Sequence, residues 1–211
     1  NDPGNTFCTP AQISYFLNDL VFGMKLTAQS SDTMIIKRRK VLWVSGLNVP
    51  ENYGDTIQFK SGSTLILEPS AELEACFGGV IIYETGSNVS WDEHTCNSAE
   101  NSSQIVITGG GTFVVNNGGF IQIKDGGKLI IGDNTTLSFE SDISPLILRT
   151  GSQVIMGNNS KIQFKNGAFI WAVGSTFTCP NGSWQGITFE NSTNDTVRNC
   201  TFSNASKFLD F

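Results

Sequence analysis

The sequence is short of charged residues, of histidine and of long apolar runs. Charged side chains make up 15% of the 211 residues, whereas ordinary soluble domains carry roughly a quarter. Lys and Arg number 13 against 19 Asp and Glu, so the net charge is −6 and no nucleic-acid partner is expected. No apolar run approaches the roughly 20 residues that a bilayer-spanning helix needs, so we expect no membrane span.

The five cysteines include no C-x-x-C pair and are accompanied by a single histidine, so neither a zinc site nor another cofactor is predicted. N-x-S/T triplets are frequent and favour an oxidising, extracellular location. Two disulfides are candidates there: Cys76 with Cys96, and Cys179 with Cys200, whose separation is slightly less than one repeat. The partner of Cys8 stays open.

Short apolar strands recur about every eight residues, separated by Gly, Asn, Asp and Ser. Three of them make a larger repeat, because Leu137, Ile162 and Ile187 follow one another at a constant interval of one coil. A sandwich would also contain closely spaced strands, but it would not repeat residue by residue. The pattern predicts an all-β fold, a right-handed, single-stranded parallel β-helix with three short strands per coil of about 24–25 residues.

Stacked coils bring equivalent residues into register at a strand spacing of about 4.8 Å. One column of large side chains is then expected along the axis, as a core stack rather than a ligand platform. Its members are Trp91, Val115, Phe139, Phe164 and Phe189.

Residues 1–40 are predicted to cap the first coil, and residues 41–211 to form the β-helix. Thr9-Pro10 suits the start of a helix, and the apolar residues of 11–20 share one face, so a short amphipathic helix is expected in the cap. Such a cover would protect the open edge of the stack. Because the sequence stops within a predicted strand at 208–211, we expect the native chain to continue.

Two stretches resemble the right-handed β-helix repeat proteins of the pectate-lyase-like superfold. Residues 46–50 and 63–71 are similar to the opening V-P-x-G-x-T-L-x-I-x-P-G-A of such helices, with Ser70 in place of the usual Gly. Residues 182–189 and 197–202 resemble their G-x-W-x-G-I-x-F and I-x-N-C-x-F coil. The likeness is to the non-catalytic secreted surface and adhesin proteins of Bacteroidetes-type bacteria, which implies a scaffold, although the superfold also includes lyases and hydrolases.

A polar segment at 92–104 is predicted to loop out of the rod, where functional groups are often grafted. Asp92, Glu93 and His94 stand at its start and could hold a metal or act as an acid–base pair. Consecutive side chains point in different directions, so the favoured interpretation is a solvated loop pinned by a disulfide.

The sequence indicates no catalytic residues. No carboxylate ladder follows successive coils, and the acidic pairs of Glu68 with Glu72 or Glu74 lie beside turns. Trp171 is expected in the core because it lies in an apolar run, while Trp43 stays undecided.

These observations favour a secreted or cell-surface structural or adhesive module, such as a surface filament, stalk or adhesin segment. The expected partners are further copies of the chain, in a filament or larger surface assembly, and glycans. The alternative is a polysaccharide-binding module, or a polysaccharide lyase or hydrolase of the same superfold.

Overall fold

The computed structural model describes residues 25–45, 55–192 and 194–210, together with the backbone of 5–8 and 12–13. These residues form a parallel β-solenoid of about 6 turns, and no helix occurs among them. The all-β, parallel solenoid that the residue-level repeat predicts is therefore confirmed.

The strands are short, and three of them make up a full turn. The first twelve are β1 (Asn5–Cys8), β2 (Gln12–Ile13), β3 (Lys25–Ala28), β4 (Thr33–Ile36), β5 (Val41–Ser45), β6 (Thr56–Phe59), β7 (Thr64–Leu67), β8 (Glu72–Cys76), β9 (Val80–Glu84), β10 (Asn88–Ser90), β11 (Cys96–Ala99) and β12 (Gln104–Thr108). The rest are β13 (Gly111–Val115), β14 (Phe120–Ile123), β15 (Lys128–Ile131), β16 (Thr135–Phe139), β17 (Pro145–Leu148), β18 (Gln153–Met156), β19 (Lys161–Lys165), β20 (Phe169–Val173), β21 (Thr176–Thr178), β22 (Gly186–Glu190), β23 (Thr196–Arg198), β24 (Thr201–Phe202) and β25 (Leu209–Asp210).

Equivalent strands of successive turns pair in parallel and build three walls around one core. Wall 1 consists of two 5-stranded sheets in succession, β2-β1-β4-β7-β10 and β13-β16-β19-β22-β25. Wall 2 is the 7-stranded sheet β5-β8-β11-β14-β17-β20-β23, and wall 3 is the 8-stranded sheet β3-β6-β9-β12-β15-β18-β21-β24. Because side chains alternate along each strand, they form inward and outward columns that run along the axis.

Turn length varies along the stack: Lys25 pairs with Thr56, 31 residues later, whereas Thr56 pairs with Val80, 24 residues later. Gln104 pairs with Lys128, and Lys128 pairs with Gln153, so two successive turns differ by a single residue. The next turn, from Gln153 to Thr176, is the shortest of the three. The differences fall in the bends between strands, so the columns stay aligned.

The first strands of the chain cover an edge of the stack. Parallel stacking begins with β3 and β4, so the solenoid takes in residues that the sequence pattern assigns to the cap. The strand β1 lies antiparallel beside β4, with β2 antiparallel beside β1, so a hairpin covers the edge of wall 1. The helix predicted over 11–20 lies outside the described residues except at Gln12–Ile13, which form β2.

The predicted core column lies on the inner side of wall 1. Val115, Phe139, Phe164 and Phe189 pair in register, and none is more than 8% exposed. The rings of Phe139 and Phe164 stack with centroids 5.1 Å apart, and those of Phe164 and Phe189 are 5.6 Å apart. Each ring therefore packs on the ring of the next turn, which adds to the stabilisation from burial.

Trp91, the remaining member of that column, is buried just after the end of β10. Its indole N–H donates to the carbonyl oxygen of Val114 at 2.9 Å. A Cβ atom at Gly119 would lie 2.3 Å from the indole ring, so glycine is needed there for this close approach. The indole thus links the end of one turn to the next.

The strand β11 departs from the apolar composition of the other inward columns. All four of its residues are buried, and Asn97 lies in register between Leu73 and Ile121, which both belong to the core. The Asn97 amide and the hydroxyl of Tyr83 make no hydrogen bond of ordinary geometry among the described residues, although the two groups are close enough to interact with each other. Burial raises the pKa of Tyr83.

Replacing Asn97 by Leu is expected to raise the free energy of unfolding by about 1 kcal/mol, because a buried amide without a hydrogen bond of ordinary geometry costs about 1–3 kcal/mol. Leucine suits the position because Leu73 precedes it in the column. Urea denaturation measures the difference, with Leu73→Asn as the matched control that should destabilise the protein. A lower stability of Asn97→Leu would contradict this prediction.

An ion pair links two neighbouring turns on the outer side of wall 3. The ammonium group of Lys60 lies 2.6 Å from a carboxylate oxygen of Glu84, which also accepts a hydrogen bond from Gln58 at 3.0 Å. The hydrogen bond from Lys60 is the main cause that holds the pKa of Glu84 below its ordinary value, against the opposing effect of partial burial.

A carboxyl group whose pKa is lowered by folding stabilises the protein above its unfolded pKa, and this stabilisation is lost as the pH falls through the folded pKa. Glu84→Gln is therefore expected to be less stable than the wild type at pH 7, by at most about 1 kcal/mol because the pair is partly solvated. The difference should shrink as the pH falls from about 5 to about 3. Thermal unfolding across this range measures it, and a difference that does not change with pH would exclude the charge effect.

Candidate functional site

The outer side of wall 2 is the part of the solenoid that carries exposed aromatic and charged side chains together. One outward column runs through seven successive strands in register. We call it the central column of wall 2; its members are Trp43, Glu74, Ser98, Gln122, Ile147, Trp171 and Thr196. The two tryptophans lie five strands apart, or about 24 Å.

The Trp43 end of the column is acidic. Trp43 is 52% exposed, and its indole N–H donates to a carboxylate oxygen of Glu74 at 2.9 Å. Glu72, which lies on β8 with Glu74, accepts a hydrogen bond from the hydroxyl of Ser98 at 2.8 Å. These carboxylates already have protein donors, and they surround this tryptophan with negative charge.

Lys124 balances this acidic group. Its ammonium group lies 3.3 Å from Glu74 and 3.9 Å from Glu100. Burial alone would lower the pKa of Lys124, but the neighbouring carboxylates, Glu74 foremost, raise it. Lys124 therefore stays protonated and offsets part of the negative charge of Glu72, Glu74 and Glu100.

The Trp171 end of the column is different, because within the described part of the chain its cation has no carboxylate partner. The guanidinium of Arg149 lies 6.0 Å from the centroid of the Trp171 ring. No ion pair among the described residues includes Arg149. Beside it opens a shallow groove of about 370 Å³, lined by Gln122, Lys124, Asp125, Arg149 and Thr150.

Trp171 is 48% exposed, so the expectation that it lies in the core is wrong. Its neighbours Ile170 and Ala172 are the inward residues of β20 and continue the columns of Leu146 and Leu148. Alternation along the strand then directs Trp171 outward. That alternation is the signal in the sequence that could have placed it correctly.

The segment 92–104 does not loop out of the rod as predicted. Its middle is the buried strand β11, which pairs with β8 and β14 as any other strand of wall 2 does. Only the short bends on either side of β11 leave the walls. The polar residues within it resemble a loop in sequence, although they occupy strand positions.

Asp92, Glu93 and His94 form one of these bends, and all three are exposed. The backbone N–H of Glu93 donates to the carboxylate of Asp92 at 2.7 Å, and the hydroxyl of Thr95 donates to the carbonyl of Asp92 at 2.7 Å. His94 has a positive φ of 59°. The Asp92 side chain therefore stabilises the bend, and no group of three or more metal-ligating side chains occurs among the described residues.

The structure forms neither predicted disulfide among the described cysteines. Cys96 lies beside Glu72, four residues before Cys76, so the two cysteines are about 13 Å apart along the strand direction. Cys200 lies beside Ser175, again four residues before Cys179. Both separations exceed the roughly 7 Å between Cα atoms that a disulfide can bridge.

No family model matches the chain, and neither a curated protein nor a solved structure does. The resemblance to β-helix surface proteins therefore stands on its motifs alone. Within the described residues, no helix is long and apolar enough to cross a membrane.

Trp171 is exposed and Trp184 is buried, so replacing each of them should affect the stability of the protein differently. Trp171→Ala is expected to change the free energy of unfolding by less than about 1 kcal/mol, because the side chain is half exposed. Trp184→Ala should cost about 3–5 kcal/mol, because Trp184 is fully buried and stacked near Phe177 and Phe202. Urea denaturation compares them, and equal losses would contradict the assignment of Trp171 to the surface.

Proposed function

We propose that this chain is an extracellular structural or adhesive module, a segment of a surface filament, stalk or adhesin. The observation that carries the proposal is the stack of parallel strands around one apolar core, continuous in walls 2 and 3. Because each turn is hydrogen-bonded and packed onto the next, the stack resists bending and holds outer side chains at a fixed spacing. The right-handed sense of the coil is part of this proposal.

The chemistry of the surface supports an extracellular location. Bends that require positive φ are filled largely by Asn and Gly, and charged residues are few. Asn159 and Asn134 occupy equivalent bends in adjacent turns, and their side chains meet at 3.4 Å. Cysteine pairing gives no support to this location, so the proposal depends on the rod and its neutral polar surface.

The alternative, a polysaccharide-binding module or enzyme, is favoured on its binding side by the exposed Trp171 and the neighbouring Arg149. The acidic residues do not favour hydrolysis. A general acid needs a raised pKa, whereas the hydrogen bond from Lys37 holds the pKa of Glu68 below its ordinary value. Both carboxylate oxygens of Glu74 are also engaged, by Trp43 and by Lys124.

The proposal can be tested on the purified full chain in two ways. Sedimentation velocity and electron microscopy over a concentration series should show rods of constant width that lengthen by association, if the chain builds a filament. If it is an adhesive segment, labelled protein should bind to surface polysaccharides in a panel of neutral, carboxylated and sulfated polymers. Particles that stay monomeric and bind no member of the panel would contradict both forms of the proposal.

A further inference from the structure

The groove beside Arg149 combines three features that a sugar-binding site requires. It is open to solvent, polar side chains line it, and the exposed ring of Trp171 lies 6.0 Å from Arg149, one of the lining residues. Gln122 and Thr150 offer amide and hydroxyl groups for hydrogen bonds to sugar hydroxyls. The flat walls keep these groups at fixed positions, because each belongs to a paired strand or to the bend that follows it.

Arg149 gives the groove a charge preference. Lys124, the other cation of the groove, is held by Glu74 and Glu100, whereas no carboxylate of the described residues pairs with Arg149. Its distance of 6.0 Å from the Trp171 ring is the outer limit of a cation–π contact, so the guanidinium can turn toward a ligand. Arg198, on β23, lies two strands away from Arg149 on the same outer face of wall 2 and adds a second positive charge.

We propose that this groove binds a carboxylated pyranose unit of an acidic polysaccharide, an inference that rests on the proposed adhesive function. Arg149 pairs with the sugar carboxylate, whose planar geometry matches the two parallel N–H donors of a guanidinium. The exposed face of Trp171 packs against the apolar face of the sugar ring. Asp125, the one carboxylate that lines the groove, accepts hydrogen bonds from sugar hydroxyls.

Trp43 provides an internal comparison within the same wall. It stands in the same outward column as Trp171 and is equally exposed, at 52% against 48%. Its indole N–H is bound to Glu74, and Glu72 lies on the same strand, so its surroundings repel an anion. Anionic sugar should therefore bind at the Trp171 end and not at the Trp43 end.

Isothermal titration calorimetry of the full chain with polygalacturonate, dextran sulfate and neutral dextran tests the proposal. The wild type should bind polygalacturonate, with an affinity that falls as salt is added. Arg149→Ala and Trp171→Ala should each weaken binding about tenfold or more, and Arg149→Lys should restore only part of it. Trp43→Ala, the matched control, should leave the affinity within about twofold.

Unfolding curves show whether each variant is folded, and Trp171→Phe keeps the aromatic platform if Trp171→Ala is unstable. Equal binding of neutral dextran, a preference for dextran sulfate, or an equal loss in Trp43→Ala would overturn the carboxylate site. If the wild type binds polygalacturonate but Arg149→Ala binds it equally well, this site is wrong while the adhesive function stands. Failure of both assembly and binding would remove the proposed function itself.

Discussion

Backbone hydrogen bonds between equivalent strands hold most strand residues of the solenoid beside the residue one turn away. A shift of one position in any strand would exchange its inward and outward side chains, so the core stabilises a single register. The Phe139–Phe164–Phe189 stack and the Lys60–Glu84 ion pair both depend on this alignment. So does the meeting of Lys124 with Glu74, which lies 50 residues earlier in the chain.

Much of the fold can be predicted from the sequence because the register repeats. A repeat that is present in several turns can be recognised even where one turn departs from it. Large apolar side chains at constant intervals then identify the inner column. The same reasoning fails where one turn departs from the average. In β11, polar residues occupy buried positions, and a method that recognises strands by apolar residues assigns such a segment to a loop.

The errors in the candidate site have a related cause. Separation along the chain suggested that cysteines slightly less than one repeat apart would meet, but contact requires agreement within about one residue, and both pairs are offset by four. The apolar run around Trp171 concealed its alternation, which the columns of Leu146 and Leu148 make plain. Arg149 could not be recognised at all from the sequence, because its importance comes from its position beside Trp171 and from its forming no ion pair among the described residues.

The bends of the solenoid differ in length far more than its strands do. Between β15 and β16 the chain needs only residues 132–134, whereas between β21 and β22 it uses residues 179–185, and the walls continue undisturbed on both sides. A corner can therefore take additional residues without shifting the strands that it joins, whereas an insertion within a strand displaces a whole column. The longer corners are thus places where a new surface can arise without a new core, although glycines such as Gly119 must be kept where neighbouring turns approach closely.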